Sequence, residues 1–274
     1  MQESRIDSAR AQENFPVASK LLPPQWRRPI LDFYAFIRGM DEIADDPALK
    51  REEKRDQLRV IRLALQEDQP EMLPKWALPY YERMQAGTWS KTYGDTLWEA
   101  FWQDTEKLRY RNFDEVLAYC QKSAVPVGRA VLEITKEPQP KLAAADALCT
   151  ALQLLDHLQD VRGDYQRLGR IYLPQDWMAA EGLGEKVLEK AETGPKLHKL
   201  FAQWLDEVDK LLRQAGNLPR SIRHRGLRWE LRIILALARG LSRKLRHSDP
   251  MARRVRLSNL HKSLLTLGAV IGVC

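Results

Sequence analysis

Cysteine is scarce in this chain, and no pattern of strands is visible. The three cysteines, Cys120, Cys149 and Cys274, are odd in number, far apart and without metal-ligand spacing. This excludes a disulfide framework or a thiolate zinc site and fits a reduced, cytosolic protein. Long hydrophobic runs are missing too. Nothing reaches the roughly 18 to 20 uninterrupted apolar residues that a membrane span requires. The opening "MQESRIDSARAQENF" is polar and lacks the apolar centre of a secretory signal. No G-x-G-x-x-G dinucleotide fingerprint and no fixed repeat period occurs. Glycine (14) and proline (15) are thinly spread over 274 residues, so few positions interrupt a helix.

What remains is helix-forming sequence, dominated by Ala, Leu, Arg, Glu and Gln, with a hydrophobic share of 44% that is ordinary for a globular protein. Apolar periodicity and Pro/Gly punctuation predict helices over about Pro24–Ala44, Lys50–Glu67, Thr92–Leu108, Phe113–Ile134, Leu142–Tyr165, Pro195–Gln214, Ser221–Arg246 and Met251–Leu267. "QPEMLPKWALPYYERM" reads as a proline-punctuated connection with one short helix, and "RLGRIYLPQDW" as a loop. One all-α domain over residues 1–274 is the simplest architecture.

The net charge of +7 is concentrated between Arg220 and Lys262. Nucleic acid, an anionic membrane surface and a polyanionic small substrate would each explain this, as would a plain solvated face. No nucleic-acid-binding module accompanies the basic residues, so no nucleic-acid partner is expected. The tail "SLLTLGAVIGVC" is too short to span a bilayer. It reads as a helix packed on the core, the alternative being peripheral contact with the inner face of the membrane through the basic C-terminal third.

The unusual feature is acidic. "FYAFIRGMDEIADDP" carries Asp41 and Asp45 four residues apart, with Arg38 one turn before, and "LQLLDHLQDVRGDYQRLGRIYLP" carries Asp156, Asp160 and Asp164 at the same spacing. Residues four apart share a helix face, where like charges repel by a few tenths of a kcal/mol per pair. Both pairs fall near helix C-termini, which already carry partial negative charge. A solvated acidic face explains one such pair; two, set in apolar helices beside aromatic and Arg residues, point to divalent cations. Hard oxygen ligands of this kind suit Mg²⁺ shared with substrate phosphates. The chemistry such a site serves is ionisation of an allylic or cyclopropylcarbinyl diphosphate over an apolar pocket that shelters the carbocation. Arg170 and Tyr172, in "GRIYLP", either reach the diphosphate or anchor the loop.

Together with "YCQKSAVPVGRAVLEI", these stretches resemble the squalene/phytoene synthase family, over roughly Glu13 to Arg246 and in the family's order. "ENFPVASKLLPP" and "DTEKLRYRNFDEVLAYCQKSAVPVGR" are most similar to its branch that forms hydroxysqualene in bacterial hopanoid biosynthesis. The resemblance implies an all-α isoprenoid synthase bundle with a central cavity and Mg²⁺ as cofactor. It further implies conversion of presqualene diphosphate and water into hydroxysqualene and diphosphate, and contact with the enzyme that supplies presqualene diphosphate. By motif, Asp41, Asp45, Asp160 and Asp164 are the metal ligands, Tyr34 and Arg38 face the diphosphate, and Gln153 and Asn14 touch substrate; Glu13 is a further candidate contact. The family's usual Asn-x-x-Arg-Asp is here Asp156-His157-Leu158-Gln159-Asp160, one positive charge fewer and one negative charge more. That departure suits an enzyme handling a single diphosphate. Asp156 is then a metal ligand, a positioner of the capturing water, or an acceptor behind the ligands. The rival readings are a squalene or presqualene diphosphate synthase condensing two farnesyl diphosphates, and a non-catalytic subunit of the same fold. His157, His224, Trp98, Trp102 and Tyr110 read as packing residues, and Gly128 with Pro126 as a close approach or kink.

Overall fold

The computed structural model describes residues 14–138 and 141–271. Twelve α-helices are described: α1 Pro24–Asp45, α2 Arg51–Gln66, α3 Leu78–Gln85, α4 Lys91–Asp104, α5 Phe113–Ser123, α6 Val125–Ile134, α7 Leu142–Leu168, α8 Gln175–Ala180, α9 Pro195–Ala215, α10 Leu218–Ser221, α11 Arg225–Arg246 and α12 Asn259–Ile271. Among the described residues the only extended pairing is one isolated parallel bridge between Arg109 and Ile171.

The helices begin and end where local chemistry dictates. Ser90 and Asn112 cap α4 and α5 by accepting the N–H of Thr92 at 3.3 Å and of Glu115 at 3.0 Å. Pro24 and Pro195 open α1 and α9, where a missing N–H costs nothing. Three expected spans change. Phe113–Ile134 is two helices, broken at Ala124, because Pro126 has no N–H to give the Lys122 carbonyl. The helix expected over Thr92–Leu108 ends at Asp104. The last begins at Asn259 rather than Met251. Residues 251–257 run without helix along α7, where the Met251 carbonyl accepts from Arg162 at 3.2 Å and the Val255 carbonyl from Gln159.

α7 is the axis of the bundle. At 27 residues it is about 40 Å long, and it packs against α5, α6, α9 and α11. Its stripes of Ala144, Ala145, Ala147, Leu148, Ala151, Leu154, Leu155 and Leu158 are buried in one continuous core. Small residues let the neighbours close in: a Cβ on Gly128 of α6 would lie 2.4 Å from the Cys149 sulfur of α7. Trp98 and Trp102 stack with centroids 4.8 Å apart beneath the Arg62 and Arg55 guanidiniums, Tyr110 is fully buried, and His224 caps α11 against Trp26, all in packing roles.

Candidate active site

α1 ends at Asp45 and α7 at Leu168, so each Asp-x-x-x-Asp pair rides the closing turns of its helix. The two pairs face each other closely enough that the Asp45 charge acts on Asp164. Each carboxylate meets an arginine. Arg38 lies 2.7 Å from Asp41, Arg170 3.1 Å from Asp45, Arg254 2.9 Å from Asp160 and Arg167 3.2 Å from Asp164. Arg254 also reaches Asp156 at 2.9 Å, and Asn14 donates to Asp156 at 3.3 Å and to Gln159 at 2.7 Å.

Arg170 owes its position to Gly169. That glycine closes α7 at φ +66°, a conformation other residues adopt at a cost, with its N–H donating to the Tyr165 carbonyl at 2.9 Å. The chain turns inward and buries Arg170, which donates to Asp45, to the Asp104 carbonyl at 3.0 Å and to the Tyr172 hydroxyl at 3.1 Å. The Tyr119 hydroxyl donates to the Asp104 carboxylate at 2.7 Å, and the His157 ring stacks on Tyr172 with centroids 3.5 Å apart.

The electrostatics follow from crowding. Burial and then the neighbouring Asp45 push Asp41 up to about 7, partly offset by Arg38. The Asp41 side chain is nevertheless 35% exposed where it lines the cavity described next, so solvent screens part of this rise. Burial and Asp160 push Asp164 up to about 7 as well, and burial raises Asp160 against the pull of Arg254. Burial raises Asp104 to about 6 despite Arg170. Burial, with Arg170 adding to it, lowers His157 to about 3, so its ring is neutral. Four carboxylates at two helix ends thus crowd negative charge that four arginines offset in part. Among the described residues no three acidic, histidine or cysteine side chains close around one point. Paired rather than caged carboxylates fit Mg²⁺, which keeps waters and takes substrate phosphates alongside one or two protein ligands.

Below this rim lies a cavity of about 410 Å³ between α1, α5, α6, α7, α11 and the segment of residues 14–22. Asn14, Arg38, Asp41 and Asp156 line its mouth; Ile30, Phe33, Ile37, Val127, Val131, Leu148, Leu152, Leu231 and Ile234 line its depth. Tyr34 and Gln153 also face it. Asp45, Asp160 and Asp164 flank the mouth without lining the cavity. Arg170 and Tyr172, expected either at the diphosphate or as loop anchors, stand behind Asp45 and hold it. Glu13 lies outside the described residues.

A model of the squalene/phytoene synthase family matches residues 8–261. The chain belongs to the squalene/phytoene synthase family. It is 34% identical to a hydroxysqualene synthase of Sinorhizobium fredii over 97% of this chain and 90% of that protein. It is 35% identical to one of Rhodopseudomonas palustris, over 98% and 91%. Among solved structures it resembles a squalene synthase of Alicyclobacillus acidocaldarius, with a TM-score of 0.76 at 24% identity over 90% and 93% of the two chains. A dehydrosqualene synthase matches with a TM-score of 0.79 at 19% identity over 99% and 96%. The fold is therefore the all-α terpenoid synthase fold.

For a squalene/phytoene synthase, the departure at Asp156 and Gln159 now has a physical account. The positive charge that Gln159 does not bring is supplied by Arg254, from a segment that Gln159 itself fastens through the Val255 carbonyl. Sequence reasoning placed Arg254 only in a basic run and passed over Asp104 and Tyr119. The signal for Tyr119 lay in "YCQKSAVPVGR", but nothing local in the sequence ties Asp104 or Arg254 to the site.

Proposed function

We propose that the protein is a hydroxysqualene synthase: it ionises presqualene diphosphate with Mg²⁺ and lets water capture the rearranged cation. The observation that carries this reading is the apolar cavity lying directly below a mouth of carboxylates and arginines. The names of the relatives, at about a third identity over nearly the full length, point the same way.

Asp41, Asp45, Asp160 and Asp164 would hold Mg²⁺, which when bound neutralises the leaving diphosphate. Arg38 and Arg254, paired with Asp41 and with Asp156 and Asp160, would orient the diphosphate oxygens. Arg170 and Tyr172 keep Asp45 in place. Tyr34 faces the diphosphate beside Arg38, and the aromatic and aliphatic walls seat the hydrocarbon and exclude bulk water until rearrangement is complete. Asp156, held by Arg254 and Asn14 at the mouth, serves the cation-binding rim.

The test is product analysis of purified protein with Mg²⁺ and no nicotinamide, given presqualene diphosphate or farnesyl diphosphate separately. Hydroxysqualene from the first and nothing from the second is expected. Turnover of farnesyl diphosphate alone would assign the chain to the condensing synthases instead.

Peripheral membrane contact and handover from the enzyme making presqualene diphosphate belong to the same proposal. No described helix is long and apolar enough to cross a membrane. Leu260, Leu264 and Leu267 of α12 nonetheless form a stripe 70%, 56% and 57% exposed beside Lys262, suited to a lipid surface. Sedimentation with anionic liposomes, lost in Leu264→Glu, checks this.

A further inference from the structure

Three cavity walls carry polar residues beside apolar ones, with Ile37 standing between Asp41 and Tyr34 on α1. α7 steps from Asp156 through Gln153 to Leu152 and Leu148; α1 steps from Asp41 through Tyr34 to Ile30; the third wall steps from Tyr119 through Ser123 to Val127 and Val131. Tyr34, Gln153, Tyr119 and Ser123 therefore form a partial belt of hydroxyl and amide groups over three of the cavity walls. Within the belt, Tyr119 gives its proton to Asp104, and the Gln153 amide lies 3.4 Å from His157. The Ser123 hydroxyl is different: its oxygen is sheltered from bulk solvent and has no hydrogen-bond partner among the described residues.

A serine at the end of a helix ordinarily bonds back to a carbonyl three or four residues earlier. Thr135, at the end of α6, does so, donating to the Val131 carbonyl at 2.8 Å. Ser123 does not, and it stands where the wall breaks between α5 and α6. A buried hydroxyl left without a partner is destabilising and calls for an explanation. Its position supplies one, since one donor and two acceptor sites on the side chain lie on the cavity wall one helical turn from Tyr119.

We infer that Ser123 is a positioning residue for the water that becomes the product hydroxyl. This rests on the function proposed above. The carbon–oxygen bond to diphosphate breaks with its electron pair leaving on oxygen, and the carbon skeleton rearranges as a cation. Ser123 accepts a hydrogen bond from the water, leaving a water lone pair directed at the cationic carbon. The new carbon–oxygen bond forms, and the released diphosphate takes the oxonium proton. Capture follows ionisation, so Ser123 governs which product forms rather than whether diphosphate leaves.

The experiment compares wild type with Ser123→Ala, Ser123→Val and Ser123→Thr on presqualene diphosphate with Mg²⁺, measuring diphosphate release and the hydroxysqualene fraction of products. In Ala and Val the fraction falls by about five- to tenfold, the value of one hydrogen bond, in favour of eliminated hydrocarbons or other alcohols. Release continues in both variants, and Thr restores the fraction. Equal fractions in all four proteins overturn the assignment and leave the functional reading standing. Release lost in step with the alcohol places Ser123 in ionisation or folding and also overturns it. A wild type that releases no diphosphate sinks the functional reading, and the assignment with it.

Discussion

Asp41 and Asp164 each sit one turn from a second carboxylate, and burial together with that neighbour raises each to about 7. Neutralising either therefore separates stability from function. Asp164→Asn, melted in chelator at pH 8, should gain about 2–4 °C, as expected for ~1 kcal/mol of relieved repulsion in a chain of this size. The same variant should release diphosphate about a hundredfold more slowly or worse, read in a coupled pyrophosphatase assay. His157 gives a cleaner pH signature. Its ordinary value of 6.5 falls to about 3 in the fold, so the folded protein binds this proton more weakly than the unfolded chain. The stabilisation from a neutral ring is complete above about 6.5 and is lost as pH falls toward 3. Wild type should therefore lose melting temperature relative to His157→Gln between pH 7.5 and pH 5. Parallel curves would show that the imidazole is not held neutral.

At the scale of the element, the closing turn of α7 carries the most consequence. Gly169 permits the left-handed turn that delivers Arg170 to Asp45, Asp104 and Tyr172. Gly169→Ala should cost about 1 kcal/mol from the positive φ, and Gly169→Asn less; chemical denaturation separates them. Activity should fall further than stability in the Ala variant, because Asp45 loses its anchor as the turn shifts. The helices themselves were legible from periodicity and proline placement, since α1, α2, α7, α9 and α11 fall within a few residues of the expected spans. The aspartate pairs were legible for the same reason, because i,i+4 spacing is a local property. The Arg254 contacts span 98 residues to Asp156, and Arg170 reaches across 125 to Asp45. No local pattern encodes such meetings. Residues 251–257 carry enough apolar and basic character to read as helix, and what holds them extended is their docking on α7 through Arg162 and Gln159.

Taken as a whole, the molecule holds a net charge of +7 yet gathers its carboxylates at one mouth, with arginines from α1, the α7 turn and the 251–257 segment closing over them. Those arginines offset part of the carboxylate charge when metal is withheld, and protons at Asp41 and Asp164 add to the compensation near neutral pH. Both groups bind protons more tightly in the folded state than in the unfolded chain, where the ordinary value is 3.8. In chelator, their contribution to stability is therefore fully present below about 3.8 and is lost as pH rises through about 7. On the proposed function, Mg²⁺ with inorganic diphosphate would bind the ionised form, and its stabilisation would grow as those protons leave. Differential scanning fluorimetry with saturating Mg²⁺ and diphosphate should show a larger rise in melting temperature at pH 8 than at pH 6. At a hundredfold excess over the dissociation constant the linkage amounts to about 2.7 kcal/mol, several degrees in a protein of this size. Asp41→Asn should flatten the pH dependence as well as shrink the rise. An equal shift at both pH values would mean that the anion docks on the arginines alone, without engaging the carboxylates.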